Sequence, residues 1–193
     1  MRIALIGSHC VGKSTLMDPL CDRLDIHRID EIVREWCKDN GYASVADVPN
    51  KNLMQWTILI EQVVREKMLT EHFGSYISDR STVDNAAYFL EIPGRYLEQD
   101  YLRIAREHTQ IYDALFLIPA SDHIGVSDDS FRHIDRAFQQ KIQQNVYDLL
   151  HKWQLWGKTH VILSKTVEDR VNEIVGICEN GFRSTTGPRF KMC

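Results

Sequence analysis

Eight residues near the start of the chain, Gly7-Ser8-His9-Cys10-Val11-Gly12-Lys13-Ser14, with Thr15 behind them, fit the spacing G-x-x-x-x-G-K-[ST]. Residues of these types in this order suit the binding of a phosphate chain. Glycines let a loop curl until its backbone N–H groups converge on phosphate oxygens. A helix starting behind the second glycine adds unpaired N–H groups and the positive end of its dipole. Lys13 would reach the β/γ-phosphates, and the Ser14 hydroxyl suits a Mg²⁺ ligand. The flanks agree with this reading. Ile3-Ala4-Leu5-Ile6 is an apolar run suited to a buried parallel strand, and residues 13–24 read as a helix with Leu16, Leu20 and Leu24 on one face. The motif therefore predicts a user of nucleoside triphosphates.

Further candidates lie at the ends of later strands. His27–Asp30 reads as a strand running into a helix, which puts Glu31 and Arg34 where open α/β sheets bind ligands. A dipole-stabilising acid and a surface ion pair explain these two residues equally well. Residues 75–78 read as a strand ending in Asp79-Arg80-Ser81, followed by a helix that opens near Asp84. An Asp at that place suits a magnesium shell, since Ser81, Thr82 or Asp84 serve better as the helix cap. Arg132 and Arg136, four apart after a polar loop, share one helix face and suit a lid over phosphates. A solvated face pairing with Asp128, Asp129 or Asp135 is the competing reading.

The elements that must position these groups alternate. Strands are predicted at 3–6, 27–30, 75–78, 111–118 and 160–163, with helices between them and after the last. The expected fold is α/β: a five-stranded parallel sheet with helices on both faces and a lid after the fourth strand. All the candidate groups then fall along one sheet edge. In the long helix over 51–72, Trp56, Ile60, Val64 and Met68 recur at i+4 and are predicted to face the core. Gln55, Gln62 and Glu66 are expected on a solvated face.

Composition narrows the class. At 193 residues, 44% hydrophobic and 26% charged, the chain suits one soluble globular domain. A net charge of −4 does not favour a dedicated nucleic-acid binder. No apolar run is long enough to span a membrane, and the start reads directly into a core strand rather than a signal peptide. Five scattered cysteines without a C-x-x-C pair read as reduced thiols in a cytoplasm, and no zinc spacing is present. Cys10 reads as a small filler within the loop. The expected organisation is a domain over 1–180, with a lid at about 120–136, and a basic tail over 181–193.

The chain resembles P-loop nucleoside and nucleotide kinases, and the resemblance implies the strand order 2-3-1-4-5. It is most similar to the nicotinamide-riboside-kinase domain of bacterial NAD regulators, with thymidylate-kinase-like and deoxynucleoside-kinase-like phage proteins close by. The matching pieces are G-S-H-C-V-G-K-S-T, D-E-I-V-R after the second strand, E-Q-V-V-R-E on the long helix, S-D-R-S-T-V-D-N-A-A-Y after the third strand, and D-x-F-R-x-x-D-R from Asp129 to Arg136. The resemblance implies that Lys13 and the amides of residues 7–15 hold the phosphates of ATP. It implies that Ser14, with Asp79, holds Mg²⁺. Glu31 or Asp79 would contact the acceptor hydroxyl as general base, and Arg34 and Arg80, with Asp84 nearby, would contact the acceptor. Arg132 and Arg136 would neutralise the transferring phosphoryl group, and Ser164 and Lys165 would lie at the adenine. One departure leaves the acceptor open: the family's second acidic motif is often followed by an aromatic and an alanine, where this chain has Ile32-Val33.

The expected partners are a nucleoside triphosphate donor and a small nucleoside or nucleotide acceptor, with a homodimer left open and no membrane contact. The alternative acceptor is a hydroxymethylated base in DNA, such as 5-hydroxymethyluracil, as for related-looking phage kinases. A switch or motor fits less well. The guanine motif N-K-x-D is missing after the fourth strand, and AAA+ motors need a longer chain with a second, helical subdomain.

Overall fold

The computed structural model describes residues 1–120 and 135–182. The strands are β1 (Arg2–Ile6), β2 (His27–Ile29), β3 (Tyr76–Asp79), β4 (Ala114–Leu117) and β5 (Thr159–Val161). All pair in parallel, in the order β2-β3-β1-β4-β5. The helices among the described residues are α1 (Lys13–Leu24), α2 (Ile32–Asp39), α3 (Lys51–Phe73), α4 (Thr82–Phe89), α5 (Glu98–His108), α6 (Arg136–Lys152) and α7 (Val167–Glu179). The predicted sheet and its order are present. Of the expected lid at about 120–136, residues 121–134, Arg132 among them, lie outside the described residues, as do residues 183–193 of the expected tail.

Burial explains why β1 is apolar throughout. Ala4 and Ile6 join a core built with α2 to α6, while Ile3 and Leu5 join a second core under α1 and α7. A strand covered on both faces has no polar side to spare. Register brings the chemistry to one level: Leu5 pairs with Asp79, and Ile6 with Leu117. The chain therefore leaves β1 and β3 at the same edge of the sheet.

The expected face of α3 is wrong. Ile60, Val64 and Met68 are 45%, 47% and 53% exposed, whereas Gln55, Gln62 and Glu66 are buried with Met54, Ile58 and Leu59. Trp56, Ile60, Val64 and Met68 recur every four residues, and so do Met54, Ile58, Gln62 and Glu66. They differ by about two positions, roughly 200° around the helix. The polar set wins the interior because partners from three other elements await it there. Gln62 donates to Ser78, and Glu66 meets His108 and Tyr112.

Candidate active site

The loop after β1 is shaped by its backbone. Gly7 has φ 133°, and a Cβ there would lie 2.4 Å from the carbonyl oxygen of Ile118. No other residue fits that approach. Gly12 (φ 85°) and Cys10 (φ 56°) are also left-handed. Helix α1 starts with no side-chain cap and no acid in its first turn. Its first N–H groups and its dipole are thus left for an anion. Lys13 is buried and donates to the Gly7 and Ser8 carbonyls at 2.8 and 2.6 Å. Burial, with Arg80 beside it, lowers its pKa to about 8, against the pull of Asp84, Asp79 and Glu31.

The turn from β3 to α4 faces this loop. Ser14 Oγ donates to Asp79 Oδ2 at 2.5 Å. Burial and the nearby Glu31 push the Asp79 carboxyl upward, while Lys13, the Ser14 hydrogen bond and Arg80 oppose them. Arg80 holds φ 100°, an unfavourable conformation for a residue with a Cβ. Its Nε donates to Glu31 Oε1 at 2.5 Å, and its guanidinium lies 4.7 Å from the centre of the Tyr88 ring. Burial works against the Arg80 cation, but Glu31 and the other nearby acids outweigh it. Arg34 Nε donates to the other Glu31 oxygen at 2.7 Å. Glu31 itself is the N-cap residue of α2, yet its side chain caps nothing. The dipole reading therefore gives way to a buried carboxylate clamped by two arginines.

Two cavities meet at these groups. The larger, about 1290 Å³, runs along residues 9–15 past Glu31, Arg34, Asp79 and Arg80 to Lys165 and Arg170. The second, about 710 Å³, lies under α2, α3 and α4, with Val33, Met54, Ile58, Tyr88, Ile92 and Phe138 in its wall. His9 and Arg80 line both. Gln55 and Asn85 are the neutral polar groups of special note in the second wall. Asn85 is 4% exposed, and its Nδ2 is buried without a hydrogen-bond partner among the described residues.

A family model for the AAA domain matches residues 2–170, a stretch holding all five strands. The chain belongs to the AAA domain family. A search of curated proteins by sequence finds no match. Among solved structures, this AAA domain is similar to NadR protein in complex with NR (TM-score 0.74, 16% identity, 99% of this chain and 54% of that one). It is also similar to deoxyadenosine kinase from M. mycoides with dCMP and dCDP bound (0.70, 15%, 93% and 100%). A third is YorR protein from Bacillus subtilis in complex with phosphorylated GDP (0.59, 16%, 93% and 96%). The chain spans about half the length of the NadR structure. The fold is that of P-loop nucleoside and nucleotide kinases.

Most of the predicted residues of this AAA domain converge. His9 to Thr15, Glu31, Arg34, Asp79, Arg80 and Lys165 all line the larger cleft. Asp84 does not reach it. It is fully buried, with Oδ1 accepting from Gly7 N at 2.9 Å and Oδ2 from Ser81 N and Oγ at 2.9 and 3.0 Å. An acceptor contact is replaced by a capping box that ties α4 to the phosphate loop. Arg136 opens α6, is exposed, and lines neither cavity.

The sequence reading missed Arg170, Gln139 and Gln143. Arg170 donates to the Ser164 and Val11 carbonyls at 2.8 and 3.1 Å, joining the last strand's exit to the phosphate loop. Gln139 donates to His9 O at 2.7 Å, and Gln143 accepts from Ser8 Oγ at 3.4 Å. Apart from the Arg170–Ser164 bond, these contacts span more than a hundred positions and leave no local pattern. His9, unexplained in the sequence, has its Nδ1 3.0 Å from the Tyr88 hydroxyl and its ring beside Phe138. It therefore forms part of the wall between the two cavities.

The Ser14 hydroxyl and Asp79 carboxylate are hard oxygen donors held together beside the phosphate loop. They fit Mg²⁺, which binds through one or two carboxylates, waters and substrate phosphates. Among the described residues no group of three or more His, Cys, Asp or Glu side chains could hold a metal, and no helix is long and apolar enough to cross a membrane.

Proposed function

We propose that this protein transfers the terminal phosphoryl group of ATP to a small nucleoside or nucleotide. The carrying observation is the meeting of two cavities at His9 and Arg80. One is lined by a phosphate loop. The other is mostly apolar, with Gln55 and Asn85 available to a flat polar ring, the composition of a small-molecule site. In this reading the loop amides and Lys13 hold the β/γ-phosphates. Ser14 and Asp79 hold Mg²⁺, which supplies charge neutralisation on the phosphate chain. Lys165 lies at the adenine side.

Such transfer depends on positioning and charge neutralisation more than on a strong base. Glu31 holds the acceptor hydroxyl and receives its proton, since Asp79 is assigned with Ser14 to Mg²⁺ in this reading. Arg34 and Arg80 hold the Glu31 carboxyl in place and orient the acceptor. The kinds of ligand in the similar structures, NR, dCMP and phosphorylated GDP, support an acceptor of this class.

The test is ADP release from ATP and Mg²⁺ with nucleosides, nucleoside monophosphates, nicotinamide riboside and hydroxymethylated duplex DNA as separate acceptors. One nucleoside or nucleotide should give stoichiometric phosphorylated product, and Lys13→Ala should lower kcat/KM about 10³-fold. Release only with DNA would shift the acceptor to a polymer. Acceptor-dependent turnover that survives Lys13→Ala would sink the reading.

A further inference from the structure

Behind the β3–α4 turn lies a set of polar side chains that line no part of the larger cleft. Glu66 on α3 is fully buried. Its Oε1 accepts from Gln62 Nε2 at 2.5 Å and from the Tyr112 hydroxyl at 3.0 Å, and His108 Nε2 lies 2.6 Å from its Oε2. Gln62 also donates to Ser78 Oγ at 2.8 Å, with the Arg80 carbonyl 3.4 Å away. From the other side, Thr82 N donates to the Tyr112 hydroxyl at 3.3 Å. These side chains come from α3, from the end of α5 and from the segment before β4. They grip the chain at Ser78 and at Thr82, the two ends of the turn that carries Asp79 and Arg80.

A buried carboxylate is unfavourable unless fully partnered, and apolar side chains of similar volume would pack the same space. Packing alone therefore does not account for Glu66. The turn does. Arg80 sits at φ 100°, and such a conformation persists only where the surroundings over-determine it. The network supplies that constraint, and the Arg80 guanidinium is thereby aimed at Glu31.

We propose that Glu66, with Tyr112 and His108 behind it, is a positioning residue: it holds the β3–α4 turn so that Arg80 stands at the junction of the two cavities and Asp79 in the larger one. The kinetic part rests on the phosphoryl-transfer reading, whereas the structural part does not.

Two variants test it. Tyr112→Phe removes one hydroxyl and keeps the ring, and Glu66→Leu removes the centre of the network. If Glu66→Leu does not fold, Tyr112→Phe alone decides. Amide hydrogen exchange should become about tenfold faster at Arg80 and Thr82, with the amides of β1 and α7 unchanged. Where the wild type transfers phosphate, kcat should fall while KM for ATP stays constant, and the loss should vanish in an Arg80→Ala background. Exchange that stays slow at the turn, or rises uniformly through the sheet, overturns the proposal. So does a loosened turn with unchanged kcat. A wild type that transfers nothing defeats the kinase reading, and the exchange result still decides whether Glu66 holds the turn.

Discussion

The phosphate loop and the β3–α4 turn face one another across the cleft, but different forces shape them. The loop takes its form from its own backbone: Gly7 pressed against Ile118, left-handed residues at Cys10 and Gly12, and Lys13 folded back onto the carbonyls it follows. The turn takes its form from side chains far away in sequence, on α3, at the end of α5 and before β4. A backbone conformation that only glycine allows has no substitute when that glycine is lost. A turn gripped from several sides sheds one contact at a time.

Breaking the loop should therefore be the larger effect. Gly7→Ala places a methyl against a carbonyl oxygen that β4 holds in place, and should destabilise the protein by more than about 4 kcal/mol in urea unfolding. Tolerance of this change would mean the loop can relax and the contrast is lost.

A second test uses pH. Lys13 has its folded pKa lowered from 10.5 to about 8, so burial of its cation weakens the fold wherever the residue is charged in both states. That penalty is full below pH 8. It fades between pH 8 and 10.5, where the folded protein has released a proton that the unfolded chain retains. Lys13→Met should then be more stable than wild type at pH 7, by about 3 kcal/mol, and should lose that advantage by pH 10.5. A pH-independent difference would show that the carbonyl contacts of Lys13 dominate.

The smallest effect belongs to the turn's own local element. Ser81 caps α4, and Ser81→Ala should cost about 1 kcal/mol without collapsing the site, because the remote contacts remain. A loss as large as that of Gly7→Ala would make the turn as brittle as the loop.

The same contrast explains what could be read from the chain. The loop and the placement of Glu31, Asp79 and Arg80 at one edge follow from local patterns repeated along the sequence, whereas the sheet order comes with the resemblance to P-loop kinases. The face of α3 was misread because Trp56, Ile60, Val64 and Met68 show the right period in apolar residues, and only the fold reveals that Gln62 and Glu66 have buried partners. Asn85 and Gln55 were unremarkable until α3 and α4 enclosed a cavity between them. Arg170 was hidden for the same reason: its two carbonyl partners lie on the phosphate loop and in the segment after β5. Period reports that a helix is amphipathic. It does not report which side of an ambiguous helix has company.

Asp84 carries a consequence for genetics. One carboxylate joins the amide that opens the phosphate loop to the cap of the turn opposite. A screen for loss-of-function alleles should recover Asp84 beside Lys13, although Asp84 lines neither cavity. Second-site suppressors of an Asp84 allele should be rare, since a single compensating side chain would have to reach both the loop and the turn.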